Sequence, residues 1–319
     1  LNKPTKPYIS VVIPIYNEEG NIAKLFTRLT AVLTEMDRPY EIIFTNDGSS
    51  DRSGEILAEL YNKHRKYMRV IEFNGNFGQH MAVLAGFKLA KGDIIITLDA
   101  DLQDPPEEIP KLVVKMEEGY DLVSGVRHTR KDRWFRKYVS KIINKVRDKI
   151  TQVKLTDHGC MLRAYARHVI DLMIASNETS MFIPALAYSY ASNPTEIVVA
   201  HNARASGESK YSLYKLIRLN FDLMTGYSLV PLQLFTLIGF IISVLSILFV
   251  IYLFLRRIFI GPEVQGVFTL FAIMFFLIGV ILIGLGIMGE YIGRIYVEVR
   301  KRPRYAIKQI LGQDGEKNE

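Results

Sequence analysis

The first half of the chain alternates short apolar runs with longer segments whose apolar residues recur at helical spacing. Residues 9–14 predict a strand and residues 19–36 an amphipathic helix. Residues 40–46 and 53–64 repeat the pair, as do 68–73 and 81–89, and residues 94–98 predict a fourth strand. A helix running to residue 118 opens on Pro105-Pro106-Glu107-Glu108, with proline in its first turn and acids at its positive end. Residues 121–125 predict a fifth strand. Repeated strand–helix units imply a mostly parallel, Rossmann-like α/β sheet with helices on both faces.

The pattern changes after residue 222. Residues 223–255 and 264–289 contain no Asp, Glu, Lys, Arg or His. Each stretch exceeds the roughly 20 apolar residues that cross a bilayer as a helix. Spans are predicted near residues 229–255 and 267–288, joined through Arg256-Arg257 and Gly261-Pro262-Glu263. Two buried helices of a soluble protein are the alternative, but such helices rarely run this long without a polar face. Residues 210–227 mix aromatic, aliphatic and basic side chains, which suits a helix lying in the membrane interface. Lys210, Lys215 and Arg218 precede the first span, and Arg294, Arg300, Lys301, Arg302, Arg304 and Lys308 follow the second. The loop between has only Arg256 and Arg257 against Glu263. Positive residues stay inside, so the head and both termini are expected on the cytoplasmic side of an inner membrane. The expected division is a catalytic domain over 1–205, a loop and interfacial helix over 206–228, two spans over 229–289 and a basic segment over 290–319.

Composition adds three constraints. The chain is 49% hydrophobic over 319 residues, with the excess concentrated after residue 222, so the first 200 or so read as an ordinary globular domain. A net charge of +7 suits an anionic membrane surface and phosphate-bearing substrates. Nucleic acid would account for the charge but not for two spans, and no nucleic-acid partner is expected. The single cysteine, Cys160, excludes an intrachain disulfide and fits a reducing compartment. Leu1-Asn2-Lys3-Pro4-Thr5-Lys6-Pro7 has no apolar core, so no cleavable signal peptide is expected.

Candidate chemistry lies at the strand ends. Asp99-Ala100-Asp101 closes the fourth strand, where open α/β sheets bind ligands, and such a pair can hold a hard divalent cation and through it a diphosphate. Pro14-Ile15-Tyr16-Asn17-Glu18-Glu19 follows the first strand and Asn46-Asp47-Gly48-Ser49-Ser50-Asp51 the second. Singly these are ordinary turns and helix caps. On one carboxyl edge of a parallel sheet they make one site.

These three motifs resemble the signature of inverting family 2 glycosyltransferases of the GT-A fold. Gln103, followed by Asp104-Pro105-Pro106-Glu107, narrows the resemblance to polyprenyl-phosphate sugar transferases. That group includes dolichyl-phosphate mannose synthase, bactoprenyl glucosyltransferase and, nearest in pattern, the undecaprenyl-phosphate formamido-arabinose transferases. The likeness extends through Asn76-Phe77-Gly78-Gln79-His80, Trp134-Phe135-Arg136-Lys137, Gly159-Cys160-Met161-Leu162-Arg163, Gly207-Glu208-Ser209-Lys210-Tyr211 and Gly289-Glu290-Tyr291-Ile292-Gly293-Arg294. It implies a UDP-sugar donor, an undecaprenyl phosphate acceptor, Mg²⁺ or Mn²⁺, and a homotetramer.

By the same resemblance Pro14, Tyr16 and Glu18 surround the base and ribose, Asp47 accepts from the nucleobase, and Asp99 lies near ribose and base. Asp101 and Gln103 bind the metal with the diphosphate. Arg127, Arg136, Ser140 and Arg204 handle acceptor and donor phosphates, with Arg204 and Lys210 on a loop brought over the donor. The basic run around Arg130 and Lys131 also reads as a solvated face at the membrane. Asp157 takes the position of the catalytic base in many inverting relatives. A lipid phosphate is already ionised near neutral pH, so Asp157 can instead orient a sugar hydroxyl or position Arg163. His158 and Cys160 read as packing residues, and His80 as either a sugar contact or a helix cap. Processive glycan synthases carry a Gln-x-x-Arg-Trp element; here Arg130 stands at the Gln position, and two spans leave little room for a polymer channel. A sugar-lipid flippase, or a scaffold with a dead head, is disfavoured because each expected donor and metal position is filled. The sugar stays open: formamido-arabinose, glucose or another hexose.

Overall fold

A computed structural model of the protein describes residues 6–127, 157, 159–176, 182–201, 230–261, 266–300 and 303–312. The predicted interfacial helix and Arg136, Ser140, Arg204 and Lys210 lie outside these residues. The described residues fall into two compact units, one built on a sheet and one on two apolar helices.

The sheet unit begins β1 (Ile9–Ile15), α1 (Ile22–Glu35), β2 (Tyr40–Asn46), α2 (Ser53–His64), β3 (Met68–Phe73), α3 (Gln79–Leu89) and β4 (Ile94–Thr97). A 3₁₀ turn (Pro106–Glu108) leads into α4 (Ile109–Glu117), then β5 (Leu122–Arg127). After Asp157 come β6 (Arg163–Ala166), α5 (Arg167–Ala175), α6 (Ile183–Tyr190) and β7 (Pro194–Val199). The strands form one sheet in the order β7-β5-β6-β4-β1-β2-β3 with β8 (Ile307–Leu311) beside β3.

β1 to β4 and the β5–β7 pair are parallel; β6 is antiparallel to both its neighbours, and β8 to β3. The predicted mostly parallel sheet is therefore present, with antiparallel strands on which the periodicity was silent. The central strands are apolar on both faces because both faces are covered. Ile9, Val11, Ile13 and Ile15 pack in one core layer with α1, α2 and α4, whereas Val12 packs in the other with α3, α5 and α6. α1 contributes Ile22, Leu25, Phe26, Leu29, Val32 and Leu33, a single helical stripe. Gly86 lets α3 lie against β1, since a Cβ there would collide with the side chain of Val12.

Chain order runs outward from β1 to β2 and β3 on one side, then jumps back to β4 on the other. This reversal is a topological switch point, where the loops after the two central strands diverge and leave a crevice. Pro14 fits there because the β1–β4 ladder ends at the Val12–Thr97 pair, so its missing N–H removes no bond from that ladder.

The second unit holds α7 (Val230–Phe259) and α8 (Val267–Val299). Leu232–Arg256 and Ile273–Val299 are long and apolar enough to cross a membrane, and their large side chains are exposed, Phe240 by 68% and Phe254 by 63%. The ring of Phe235 on α7 lies where a Cβ on Gly284 of α8 would stand, so this glycine lets the two helices meet. α8 continues past the predicted end at residue 288, and its extension carries an i,i+4 pair between Glu290 and Arg294 at 2.9 Å. Within the basic segment 290–319, residues 307–311 supply β8 to the sheet.

Candidate active site

The loops after β1 and β2 are laced together reciprocally. Backbone amides of Asn17, Glu18 and Glu19 donate to Ser49 Oγ, Ser53 Oγ and Asp51 Oδ2 at 3.0, 3.0 and 3.1 Å. In return Ser50 and Arg52 amides donate to Asn17 Oδ1 and Glu19 Oε2 at 2.8 and 3.0 Å. Asn17 sits at φ +55°, a left-handed conformation that asparagine tolerates. The motif side chains thus act on one another as turn and cap residues while bringing Pro14, Tyr16, Glu18 and Asp47 to one edge. Tyr16 is 51% exposed there, presenting its ring to solvent.

Asp47 is buried, and its two oxygens accept the amides of Phe77 at 2.7 Å and Gly78 at 2.9 Å. Burial pushes its carboxyl up, and those two amides pull it part of the way back. Asp47 therefore orders the β3–α3 loop at the site's edge. Gly48 allows this approach: it has φ +65°, and a Cβ would strike the backbone of Gly75.

Across the crevice, Asp99 accepts Gln79 Nε2 at 2.6 Å. Burial, then the charges of Asp101 and Asp104, push the Asp99 carboxyl up to about 7. The Gln103 amide closes a turn on Asp101 Oδ1 at 3.1 Å, around Leu102 at φ +59°. A bulky residue in that conformation is strained, and such strain concentrates at functional loops. Asp104 is buried behind them, bonded to His201 Nδ1 at 3.0 Å and to the Cys160 thiol at 3.6 Å. Burial, with the Asp104 charge, pushes that thiol up to about 12, and Cys160 is fully buried among core side chains.

A second cluster forms where β5 ends. Arg127 grips Asp157 with both prongs, Nε to Oδ2 at 2.6 Å and Nη2 to Oδ1 at 2.8 Å. The Gly159 amide adds a third bond to Oδ1 at 2.9 Å. Gly159 leaves room for this arrangement, since a Cβ there would sit 2.6 Å from Arg127 Nη2 and push the guanidinium aside. Arg163 is fully buried beneath the pair and donates to the Cys160 and Asp157 carbonyls at 3.0 and 2.9 Å. Arg163 thus ties to the Asp157 backbone carbonyl, while the Asp157 carboxylate faces Arg127.

His80 lies edge-on to Phe182, with ring centroids 5.4 Å apart. Burial, then Arg163, push its imidazole down from 6.5 to about 4, so it is neutral in the native state. Between pH 6.5 and 4 the unfolded chain takes up a proton that the native state refuses, and this part of the stability is lost as pH falls. Replacing His80 with Gln should flatten the acid side of the stability profile over that interval, read as unfolding midpoints in detergent.

Pro14, Tyr16, Glu18, Asp47, Asp99, Asp101 and Gln103 thus line the switch-point edge, with Arg127 and Asp157 a separate tight pair. The sequence does not single out Gln79, Gly159 or His201 for these roles. Gln79 stands beside His80 in a recognisable motif, and a glycine two residues after Asp157 hints at a turn, but no local pattern names their partners.

Whether the donor set suits a divalent cation is decided by its chemistry. The described residues hold no group of three His, Cys, Asp or Glu side chains placed to cage a metal. Magnesium does not need one, since it is held by one or two carboxylates plus substrate phosphates and water. Burial first, then the charges of Asp101 and Asp104, push the Asp99 carboxyl up, and a cation held beside these carboxylates would offset their mutual repulsion. The residues fit the group.

Residues 10–172 match the family described as Glycosyl transferase family 2. The chain is 48% identical to the undecaprenyl-phosphate 4-deoxy-4-formamido-L-arabinose transferase of Aeromonas hydrophila subsp. hydrophila, over 98% of this chain and 96% of that one. It is 47% identical to the protein of the same name from Serratia proteamaculans, over 97% and 96%. Among solved structures it is similar to glucosyl-3-phosphoglycerate synthase from Mycobacterium tuberculosis in complex with Mn²⁺, UDP and phosphoglyceric acid, at 17% identity and a TM-score of 0.48, covering 69% of this chain and 77% of that one. A match over half the chain, relatives aligned along nearly all of it, and acidic strand ends meeting at the switch point lead to one assignment: this protein is a family 2 glycosyltransferase.

Proposed function

We propose that the enzyme transfers one sugar from a UDP-sugar to undecaprenyl phosphate at the cytoplasmic face of an inner membrane, with inversion at the anomeric carbon. The observation that carries this reading is the near full-length likeness to two undecaprenyl-phosphate sugar transferases, apolar helices included. On this reading Pro14, Tyr16 and Glu18 receive the nucleoside, and Asp47 holds the loop beside it. Asp99 lies next to ribose and base.

Asp101 and Gln103 would hold Mg²⁺ or Mn²⁺, which would neutralise charge developing on the departing UDP. The acceptor's phosphate oxygen attacks the anomeric carbon in a single displacement, so configuration inverts and no covalent glycosyl-enzyme forms. Arg127 orients Asp157 beside the reacting centre, and with Arg136 and Ser140 it forms the acceptor's anion-binding side. Since the attacking phosphate is already ionised, Asp157 acts by orienting the sugar rather than by removing a proton. Arg204 and Lys210 close over the donor and limit its hydrolysis.

Topology is supported by the sheet. β7 precedes the two apolar helices in sequence and β8 comes after them, yet both are strands of one sheet. A chain that crosses and returns between these two strands accounts for this, and the basic flanks support a cytoplasmic side for the sheet. Cysteines introduced at Asn2, Pro262 and Asn318 and probed in intact cells with an impermeant thiol reagent should label only at Pro262. Buried Cys160 gives no background. Gly239, Gly279, Gly286 and Gly289 have open space where a Cβ would stand, so the apolar helices offer small-residue faces on which the copies of a homotetramer would pack.

The direct test incubates purified enzyme with undecaprenyl phosphate and a panel of UDP-sugars and weighs the lipid product. One sugar added per lipid is expected, with formamido-arabinose the preferred donor. A ladder of multiply glycosylated lipid would overturn single transfer.

A further inference from the structure

The β3–α3 loop, whose Phe77 and Gly78 amides meet Asp47, is held from its other end by a segment far away in sequence. Asn74 N–H donates to the Ala306 carbonyl at 3.1 Å. Phe73 stacks on Tyr305 with ring centroids 4.9 Å apart and planes 14° apart. The Lys88 ammonium of α3 sits over the Tyr305 ring at 5.4 Å. Phe73 also meets Phe77 edge-on at 5.6 Å, so three rings run from the C-terminal segment to the residue whose amide binds Asp47.

This segment is built in. β8 pairs antiparallel with β3, Val70 opposite Leu311 and Glu72 opposite Gln309, and the register shifts between Glu72 and Phe73 just before the loop. A bulge of this kind bends the strand and re-aims the adjoining loop. Tyr305 and Ile310 pack on one core layer and Leu311 on the other. Without β8, β3 would be an edge strand and Asn74 N–H would lose this partner.

A loop ordered on folding does not have to be ordered when ligand arrives, so affinity depends on what holds it beforehand. Asp47 holds one side of the 74–78 loop and the C-terminal strand holds its entry. We propose that this strand is part of the donor-binding machinery, with Tyr305 a positioning residue that presets the loop for the nucleotide. The proposal rests on the reading of the Asp47 edge as the donor site.

The test uses full-length enzyme in detergent, with UDP binding measured by calorimetry and initial rates measured against UDP-sugar and lipid separately. Tyr305→Ala should weaken UDP binding and raise the donor KM by about three- to tenfold, the range an aromatic pair supports. The lipid KM and kcat should not move, and Tyr305→Phe should restore donor affinity. If Tyr305→Ala fails to fold, Tyr305→Leu keeps apolar bulk without the flat stack and should show the same selective loss. Unchanged UDP affinity in the alanine or leucine variant overturns the proposal. So does an equal rise in both KM values, which would mark a general structural role. Asp47→Asn separates the two levels of the reading. If it weakens UDP binding while the Tyr305 variants do not, only the strand's role falls; if it leaves UDP binding intact, the donor assignment itself falls.

Discussion

Asp101→Asn should lower the rate of sugar transfer by about a hundred- to a thousandfold, the scale of losing a charge-stabilising group at a reacting centre. The substitution keeps the carbonyl oxygen that accepts the Gln103 amide, so the turn around Leu102 should survive. It removes one negative charge from the cluster that raises Asp99. Unfolding midpoints should therefore stay close to the parent's while activity collapses, and the metal concentration for half-maximal rate should rise. Full activity of the variant in excess EDTA would show that Asp101 does not act through a metal.

Arg127→Ala should have the largest effect on stability. Arg127 and Asp157 are 20% and 8% exposed, and both carboxylate oxygens bond the guanidinium. Removing one partner strands a charge in a largely dry place, at a cost of about 3–5 kcal/mol. Adding Asp157→Asn to Arg127→Ala should recover much of that loss, because the stranded charge goes with it. Neither variant should transfer sugar. Chemical denaturation of the four-protein cycle in detergent gives the coupling directly. A loss below about 1 kcal/mol in the single variant would class the pair with solvent-screened surface bridges and remove the reason for assigning Asp157 an orienting role.

The elements around the candidate site were legible because they repeat locally. β1, β2, β3 and β4 appear within a residue or two of their predicted bounds, since each is a short apolar run bounded by turn residues. β6 and β8 were not legible. β6 is a strand of four residues, RAYA, with no period to read, and β8 comes after a basic stretch that reads as a tail. Its strand character is decided by Glu72, Phe73 and Asn74 waiting on the open edge of β3. The site divides in the same way. Asp99 and Asp101 declare themselves at a strand end, whereas Gln79, Gly159 and Arg163 acquire roles only through neighbours.

From the amino-acid order alone come the strand–helix alternation, the acidic strand end, the two apolar spans and the charge asymmetry around them. Each depends on residues close together in the chain, where periodicity and composition act directly. Tertiary structure decided the partners. Gln79 meets Asp99 across 20 residues, Arg127 meets Asp157 across 30, and Gln309 meets Glu72 across 237. Such pairings come from the sheet order and from which faces are buried. Position in the fold then gives a neighbouring charge its weight: burial first, and Asp101 and Asp104 beside it next, push the Asp99 carboxyl above its ordinary value.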